Sequence, residues 1–314
     1  MSRTAFIFPG QGSQDVGMGR DLYEKYSSAR AVFEKASNAL GIDIASLCFE
    51  GPKEKLKETE NAQPAILTVS VACLAVLEEM GLRPDLAAGH SLGEYSALVA
   101  AGCLDFEDAV RLVRSRGKHM QEAVPLGVGG MVAVLGLEAS IIKEVCDRIS
   151  GPEAVVEAVN MNSPGQVVIA GDKKSLDRAV EELGKRGGRK CIPLSVSAPF
   201  HSSMMRPAGD KLASDLSLVK IKDPKIPVLS NVTAGYHGTG EEIRDLLVRQ
   251  VYSPVRWEEC VEKMVSDGTG VFIEVGPGRV LTGLVKKISR DTQAQNVEDT
   301  VSMEKVLASF REVG

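Results

Sequence analysis

The chain has 314 residues, 44% of them hydrophobic, which is enough for one large core with a smaller satellite domain and therefore for an enzyme. Its formal net charge is −5, and acidic and basic residues are interspersed, so no broad positive field exists and we do not expect nucleic acid as a ligand. The longest apolar helix-like segments carry polar residues and fall short of about 20 consecutive apolar residues, so we expect no membrane span.

Cysteine usage and the N-terminus predict a cytoplasmic protein. The cysteines are far apart in sequence, with no C-x-x-C pair and no Cys/His cluster at metal-ligand spacing, so we expect reduced, mostly buried thiols and no metal site. They are Cys48, Cys73, Cys103, Cys146, Cys191 and Cys260. The apolar run AFIF before the first Pro-Gly is too short for a signal peptide.

Strands and helices alternate in the first third of the chain. The run TAFIF predicts a buried strand that ends at the loop PGQGSQ, and helices are predicted at residues 21–39 and 64–80. PDLAAGHS then supplies a short strand, and LGEYSALVAAG a helix ending near Gly102. This alternation predicts an α/β fold with a parallel sheet covered on both faces.

The middle of the chain has a different order, β-α-β-β-α-β, which is the ferredoxin-like plan. We therefore predict a small inserted domain at residues 126–197, within a large domain of residues 1–125 and 198–314. Two further strands, at residues 226–234 and 270–278, should rejoin the first sheet. The polar stretch SRDTQAQNVEDTVS suggests a loose connection before a last amphipathic helix.

Ser91 lies in the pattern G-x-S-x-G, between Gly89 and Gly93, where a predicted strand meets a predicted helix. A nucleophile elbow needs small residues two before and two after the serine, because the turn is sharp and the backbones approach closely. The helix N-terminus that follows can stabilise an oxyanion. The alternative is a turn serine that caps the helix.

A nucleophilic serine needs a base, and the chain has four histidines. His201 follows a strand and an Ala-Pro break, far in sequence from Ser91, and is the preferred candidate. His90 adjoins the serine and should point away from it, His119 falls in a helical pattern, and His237 lies in a Gly-rich loop that predicts a solvated turn.

The group that orients the imidazole is left open by the residues alone. Four acidic side chains are available, and a main-chain carbonyl could also serve. The acidic candidates are Asp210, Asp215, Asp223 and Glu274.

A substrate carboxylate would be held best by an arginine, whose planar fork makes two charged hydrogen bonds. VRLVRSRGK offers Arg111, Arg114 and Arg116 on one predicted helix. Arg111 and Arg114 can share a face, and Arg116 lies opposite Arg111, so at least one should face the protein if the helix packs. Helical spacing does not choose among them.

Eight motifs, in order and spacing, resemble the malonyl-CoA:acyl carrier protein transacylases of fatty-acid synthesis over nearly the whole chain. They are FPGQGSQ, QPA, GHSLGEYSAL, RGKHMQEA, NMNSPGQVVIAG, SAPFHS, QVYSPVRW and EVGPGRVLTGL. The resemblance implies an α/β-hydrolase-like large domain with a parallel sheet core and the inserted ferredoxin-like domain. It implies Ser91 as nucleophile, His201 as base, and the main-chain carbonyl of Gln250 as the group that holds the imidazole.

The resemblance also implies a substrate site. Main-chain amides of Gln11 and Leu92 would form the oxyanion hole, Arg116 would bind the malonyl carboxylate, and Gln63 of QPA is a further candidate for substrate binding. The sequence PFH before the base resembles the malonyl-selective form of the family.

Polar and basic residues of the inserted segment and of a later helix are candidates for binding the larger parts of the substrates. Asn160, Asn162 and Gln166 are candidates for hydrogen bonds to pantetheine or coenzyme A, with a strand-turn role as the alternative. An acidic carrier needs a positive surface, for which GKRGGRK and VKKISR are candidates, although ordinary solvated side chains explain them equally well. Their basic residues are Lys185, Arg186, Arg189, Lys190, Lys286, Lys287 and Arg290, of which Arg189, Lys190, Lys286 and Lys287 are preferred.

The sequence therefore predicts an acyltransferase that moves malonyl from malonyl-CoA to the phosphopantetheine thiol of acyl carrier protein, through a malonyl-serine. We expect a monomer with no permanently bound cofactor, no metal, and no nucleic-acid or membrane partner. Other hypotheses are an acyltransferase of related polyketide-type synthesis, a serine esterase, and a non-catalytic carrier-binding module. An esterase usually places an acid between serine and histidine in sequence and needs no buried arginine.

Overall fold

The computed structural model describes residues 2–196 and 198–311, so Ser197, the predicted end of the insertion, lies outside the described residues. The strands are β1 Arg3–Phe8, β2 Leu86–Gly89, β3 Gly129–Leu135, β4 Val156–Ser163, β5 Gln166–Asp172, β6 Lys190–Pro193, β7 Thr269–Val275 and β8 Gln293–Val297. The first helices are α1 Arg20–Lys25, α2 Ser27–Leu40, α3 Ile44–Glu50, α4 Lys53–Lys57, α5 Thr59–Glu79, α6 Gly93–Ala100 and α7 Phe106–Glu122. The later helices are α8 Ala139–Ile149, α9 Lys173–Lys185, α10 Arg206–Ser217, α11 Gly240–Gln250, α12 Trp257–Ser266, α13 Val280–Ile288 and α14 Thr300–Arg311.

The first sheet is parallel, with strand order β2-β1-β7-β8. Successive side chains of β1 point to opposite faces, and both sets are buried: Phe6 and Phe8 belong to one hydrophobic cluster, Ala5 and Ile7 to another. The predicted parallel sheet with two covered faces is confirmed. The carboxyl ends of β1 and β2 lie side by side, with Phe8 paired to Gly89, so the loops that follow them meet.

The second sheet is antiparallel, with strand order β4-β5-β3-β6. Helices α8 and α9 pack against it around a separate hydrophobic cluster that includes Val134, Ile142, Ile169 and Leu183. The six elements occur in the predicted order β-α-β-β-α-β.

Val255 ties this second sheet to the rest of the molecule. It forms an isolated parallel bridge with Asn160 of β4, and its main chain exchanges hydrogen bonds with Val159 at 2.8 Å and Met161 at 3.0 Å. The segment that holds Val255 begins directly after α11.

Two segments differ from the sequence prediction. The strand expected at residues 226–234 is reduced to two isolated bridges, a parallel one between Val228 and Ala87 and an antiparallel one between Leu229 and Tyr236. The Asn231 side chain, just beyond them, bonds Gly89 and Ser91. The polar stretch before the last helix contains β8, an edge strand whose exposed positions account for its weak apolar pattern.

The first helices also differ in their limits. The single helix predicted at residues 21–39 is divided at Tyr26, which is extended, and α5 begins at Thr59, five residues before the predicted start. By length and composition, α5 is the one described helix that could cross a membrane. However, 89% of its apolar window is buried within the protein, as is usual for a core helix.

Glu274, considered above as a partner for the imidazole, instead joins β7 to α13. Its carboxyl group is fully buried and accepts hydrogen bonds from the main chain of Leu281 at 3.0 Å and of Thr282 at 2.7 Å. The Thr282 hydroxyl also donates to it at 2.7 Å. Burial raises the pKa of Glu274 to about 7, and the hydrogen bonds from Thr282 and Leu281 only partly oppose this effect.

The raised pKa of Glu274 predicts a pH-dependent stability. Because the folded protein binds this proton more tightly than the unfolded chain, the contribution of Glu274 is complete below about pH 4.5 and is lost as the pH rises through about 7. Glu274→Gln cannot ionise, so its free energy of unfolding should fall less over this range, by about 3 kcal/mol at most. Urea unfolding of both proteins between pH 4.5 and 8 measures the difference, and parallel pH profiles would contradict it.

Candidate active site

Ser91 lies on a strained turn between β2 and α6. Its φ is 52°, in the left-handed region that residues other than glycine rarely adopt. A Cβ atom on Gly89 would lie 1.9 Å from the carbonyl carbon of Gly93, and one on Gly93 would lie 2.0 Å from the oxygen of Phe8. Both positions therefore require glycine, and the predicted strand-turn-helix elbow is present.

His201 faces the serine. Its Nε2 lies 2.7 Å from Ser91 Oγ, and its Nδ1 lies 2.8 Å from the main-chain oxygen of Gln250. A carbonyl oxygen only accepts, so Nδ1 carries the proton and the Nε2 lone pair faces the hydroxyl. His201 is also in the left-handed region, with φ 64°.

The surroundings of His201 keep its imidazole neutral. Burial, followed by the nearby Arg116 charge, lowers the pKa of His201 to about 3, although hydrogen bonds to the main chain act in the opposite direction. Because the neutral form prevails above the pKa, this ring can accept a proton from Ser91 at physiological pH.

The remaining histidines have other partners. His90 Nε2 lies 2.8 Å from Asn162 Oδ1, and His119 Nε2 lies 2.8 Å from Asp215 Oδ2. The prediction of a solvated turn at His237 is wrong: its side chain is fully buried, with Nε2 2.9 Å from Glu94 Oε1.

Arg116 is the buried arginine of α7, with 1% of its surface exposed. Its guanidinium donates to Gln63 Oε1 at 2.8 Å, Gln250 Oε1 at 2.9 Å and Ser91 Oγ at 3.1 Å. All three acceptors are neutral, and in the described part of the chain no carboxylate forms an ion pair with Arg116. Its Nε is buried without a hydrogen-bond partner. A buried cation that no carboxylate contacts directly favours an anionic ligand.

The other two arginines of α7 are structural or solvated. Arg111 is half exposed and pairs with Glu107 and Asp108 on its own helix. Arg114 donates to the main-chain oxygen of Leu40 at 3.2 Å. The structure therefore separates Arg116 from its neighbours, which helical spacing could not do.

A cavity of about 460 Å³ opens at Ser91. Its lining includes Gln11 and Leu92, whose main-chain N–H groups have no acceptor within residues 2–196 and 198–311. The loop of Gln11 lies tightly on the elbow, since a Cβ atom on Gly10 would be 2.5 Å from the main-chain oxygen of His90. The cavity thus holds free donors beside the serine, as an oxyanion hole requires.

The second sheet and the chain that leaves it form the opposite wall. Met131 and Asn160 line the cavity together with Leu194 and Phe200. Asn160 Oδ1 is buried without a hydrogen-bond partner, so it is available to a ligand. The site therefore lies between the two sheets.

Gln166 and several basic residues lie elsewhere, in a second depression of about 400 Å³. Gln166 is not part of the cavity lining at Ser91, and its Oε1 accepts from Lys287 Nζ at 3.0 Å. Arg189 and Lys190 line the same depression as Lys287, whereas Lys286 is exposed outside the lining. Gln166 therefore lines a different depression from Asn160, and its contact with a substrate stays a prediction.

The other basic candidates differ in their pairing. Lys185 pairs with Glu181, and Arg186 pairs with Glu144 and Glu182. Arg290 is exposed.

Two residues of the site were missed by the sequence analysis. Asn231 accepts from the Ser91 main chain at 2.7 Å and donates to the oxygen of Gly89 at 2.7 Å, which fixes the elbow. Glu94 is completely buried and accepts hydrogen bonds from Gln250 Nε2 and the Asn231 main chain. An acidic residue in an otherwise apolar first turn, three residues after Ser91, was the available signal.

Comparisons with known proteins agree with this geometry. The family model described as acyl transferase domain matches residues 5–310. The malonyl CoA-acyl carrier protein transacylase of Bacillus subtilis is 48% identical over 312 residues, covering 99% of this chain and 98% of the relative. The crystal structure of an acyl carrier protein S-malonyltransferase from Vibrio cholerae superposes with a TM-score of 0.95 at 47% identity, covering 97% and 100% of the two chains.

A further solved structure contains a carrier. It is a type II PKS acyl-carrier protein in complex with its malonyl-transacylase, which is 47% identical, has a TM-score of 0.95, and is matched over 98% of this chain and all of that one. The chain belongs to the acyl transferase domain family and, within it, to the malonyl CoA-acyl carrier protein transacylases.

Proposed function

We propose that this protein transfers the malonyl group from malonyl-CoA to the phosphopantetheine thiol of acyl carrier protein, supplying extender units for fatty-acid synthesis. The observation that carries the proposal is the position of Ser91, between a neutral imidazole and a buried guanidinium that has no carboxylate partner. The names of the similar proteins support the same reaction.

In the first half-reaction, Ser91 Oγ attacks the thioester carbon while His201 Nε2 takes the hydroxyl proton. The amides of Gln11 and Leu92 hold the oxyanion. When the tetrahedral intermediate collapses, the C–S bond breaks, coenzyme A leaves with the proton from His201, and a malonyl-Ser91 ester remains.

The second half-reaction reverses these steps with a different thiol. The pantetheine thiol gives its proton to His201 and attacks the ester, the C–O bond to Ser91 breaks, and Ser91 recovers its proton. The main-chain oxygen of Gln250 holds the imidazole in the required tautomer throughout, so no carboxylate is needed for that role.

Arg116 selects the acyl group. The malonyl carboxylate pairs with its guanidinium, which Gln63 helps to hold by accepting a hydrogen bond from Nη1. An acetyl group would leave the cation without a partner and is disfavoured for that reason. A serine esterase has no use for this buried cation, so the transferase is preferred.

Polar groups around the two depressions receive the larger parts of the substrates. Asn160, whose Oδ1 is free, and Asn162, which holds His90, face the arm of coenzyme A or pantetheine. The acidic carrier docks on Arg189, Lys190, Lys286 and Lys287, with Gln166 at the same depression.

We also propose a division of the chain into two domains. Residues 1–125 and 198–314 form an α/β-hydrolase-like domain, and residues 126–197 form an inserted ferredoxin-like domain. The strand order β4-β5-β3-β6 and its two helices support the second assignment. We further propose a cytoplasmic monomer, consistent with cysteines that form no disulfide in the described residues.

Ser91→Ala tests the function directly. Intact-mass measurement after addition of malonyl-CoA should show one added malonyl group on the wild-type protein and none on the variant, because the nucleophile is absent. A non-catalytic carrier-binding module would show no adduct on either protein. An adduct retained by Ser91→Ala would place the nucleophile elsewhere.

Arg116→Ala tests the selectivity. Acylation by malonyl-CoA should fall by about 100-fold or more, while acylation by acetyl-CoA should be unchanged or faster, because only malonyl loses a charged partner. Stopped-flow or quenched-flow acylation rates with the two thioesters measure both. Equal losses for the two substrates would contradict the proposed binding of the malonyl carboxylate by Arg116.

Charge reversal tests the carrier surface. Lys190→Glu and Lys287→Glu should each raise the KM for acyl carrier protein by about 5-fold to 10-fold at low salt, and leave acylation by malonyl-CoA unchanged. Lys35→Glu, an exposed lysine of α2, is the matched control. An equal rise in KM for the control variant would contradict the proposal that the carrier docks on this basic surface.

A further inference from the structure

Glu94 is a buried carboxylate that the proposed reaction does not use. Its Oε1 lies 2.9 Å from His237 Nε2, and its Oε2 accepts from Gln250 Nε2 at 2.8 Å and from the Asn231 main chain at 2.9 Å. His237 Nδ1 has no partner in the described residues, so the favoured tautomer carries its proton on Nε2. All three partners then donate an N–H, which is the bonding pattern of a carboxylate. A buried negative charge also needs a positive charge nearby.

The side chain of Gln250 connects this carboxylate to Arg116. Gln250 Nε2 donates to Glu94, and Gln250 Oε1 accepts from the Arg116 guanidinium at 2.9 Å. The positive end of the amide dipole therefore faces the anion, and the negative end faces the cation. Glu94 and Arg116 are thus joined through one amide rather than by direct contact.

This separation has a consequence for ligand binding. In a direct ion pair the carboxylate would occupy guanidinium N–H groups and neutralise the charge that attracts an anionic ligand. Across an amide, the carboxylate still stabilises the buried cation, and the fork keeps its orientation. We infer that Glu94 is the counter-ion of Arg116, a positioning residue that acts through the Gln250 side chain and leaves the guanidinium free to bind the malonyl carboxylate. This inference rests on the proposed role of Arg116.

The electrostatics of Arg116 agree with this arrangement. Burial lowers the pKa of its guanidinium, and Tyr95 and Glu94 act against that effect. The Tyr95 ring lies 5.6 Å from the guanidinium carbon.

Glu94 makes a second contact, to the main chain of Asn231, and this contact decides which rates must be compared. The side chain of Asn231 bonds Ser91, so the loss of Glu94 will disturb the elbow as well. An elbow defect slows acylation by every thioester equally. A defect in the Arg116 counter-ion slows malonyl more than acetyl, so the ratio of the two rates separates the inferred role from an elbow defect.

The test compares Glu94→Gln with Gln250→Met, which cuts the connection from the other side and keeps the main-chain carbonyl at His201. The ratio of malonyl to acetyl acylation, each measured as kcat/KM by rapid quench, should fall about 10-fold or more in each variant. Because both changes break one connection, the double variant should lower the ratio little further. If Glu94→Gln does not fold, as judged by circular dichroism, an unchanged ratio in Gln250→Met still overturns the inference.

Glu274→Gln is the matched control, since it makes the same change in a buried carboxylate that bonds α13, and its ratio should equal that of the wild type. An unchanged ratio in Glu94→Gln and Gln250→Met overturns the inference, as does full additivity in the double variant. The proposed function fails separately, if Arg116→Ala leaves the ratio unchanged or the wild-type protein gains no malonyl adduct.

Discussion

A guanidinium with 1% of its surface exposed must find acceptors for its N–H groups inside the protein, and Arg116 finds them on separate elements. Gln63 lies on α5, Gln250 is the last residue of α11, and Ser91 lies at the elbow. These three elements must therefore hold fixed relative positions for the guanidinium N–H groups to reach their acceptors. Gln250 contributes most, because its side chain meets the arginine while its carbonyl meets the imidazole.

The backbone around the site is held in costly conformations. Ser91 and His201 both have positive φ, which costs about 1–3 kcal/mol for each residue and persists only where the surroundings enforce it. At Ser91 the enforcement comes from the contacts of Gly89 and Gly93 and from the Asn231 side chain on its amide. The strained turn fixes the position of the hydroxyl, which in the proposed reaction reduces the reorganisation needed.

Local sequence patterns predicted those strands, helices and turns whose conformation depends on residues close by in sequence. The elbow depends on glycines two residues from Ser91, and the parallel sheet depends on continuous apolar strands, so both could be inferred. The second sheet could also be inferred, because its six elements are consecutive. In contrast, β8 is an edge strand with one exposed and two half-buried positions, and near Val228 the Asn231 side chain bonds the main chain of Gly89, a contact that the local pattern does not contain.

The hydrogen bonds around Glu94 and Arg116 were harder to infer because the residues that form them are far apart in sequence. His237 lies in a Gly-rich segment that resembles a solvated turn, yet it is buried by its contact with Glu94, 143 residues earlier. Choosing Arg116 from the three arginines likewise required the positions of Gln63 and Gln250, which helical spacing does not contain. Family resemblance supplied that choice at the sequence level, and the geometry supplied the physical reason.

The bridge between Val255 and β4 links one wall of the cavity to the segment whose main chain bonds His201. Val255 follows Gln250 by five residues, and its two main-chain hydrogen bonds fasten the second sheet, whose Asn160 lines the cavity. Opening the cleft by a rigid hinge would break these bonds or pull on the residue whose carbonyl orients His201. In the proposed reaction, the two thiols would therefore enter and leave through side-chain and loop adjustments at the cavity mouth, with the two sheets moving as one body.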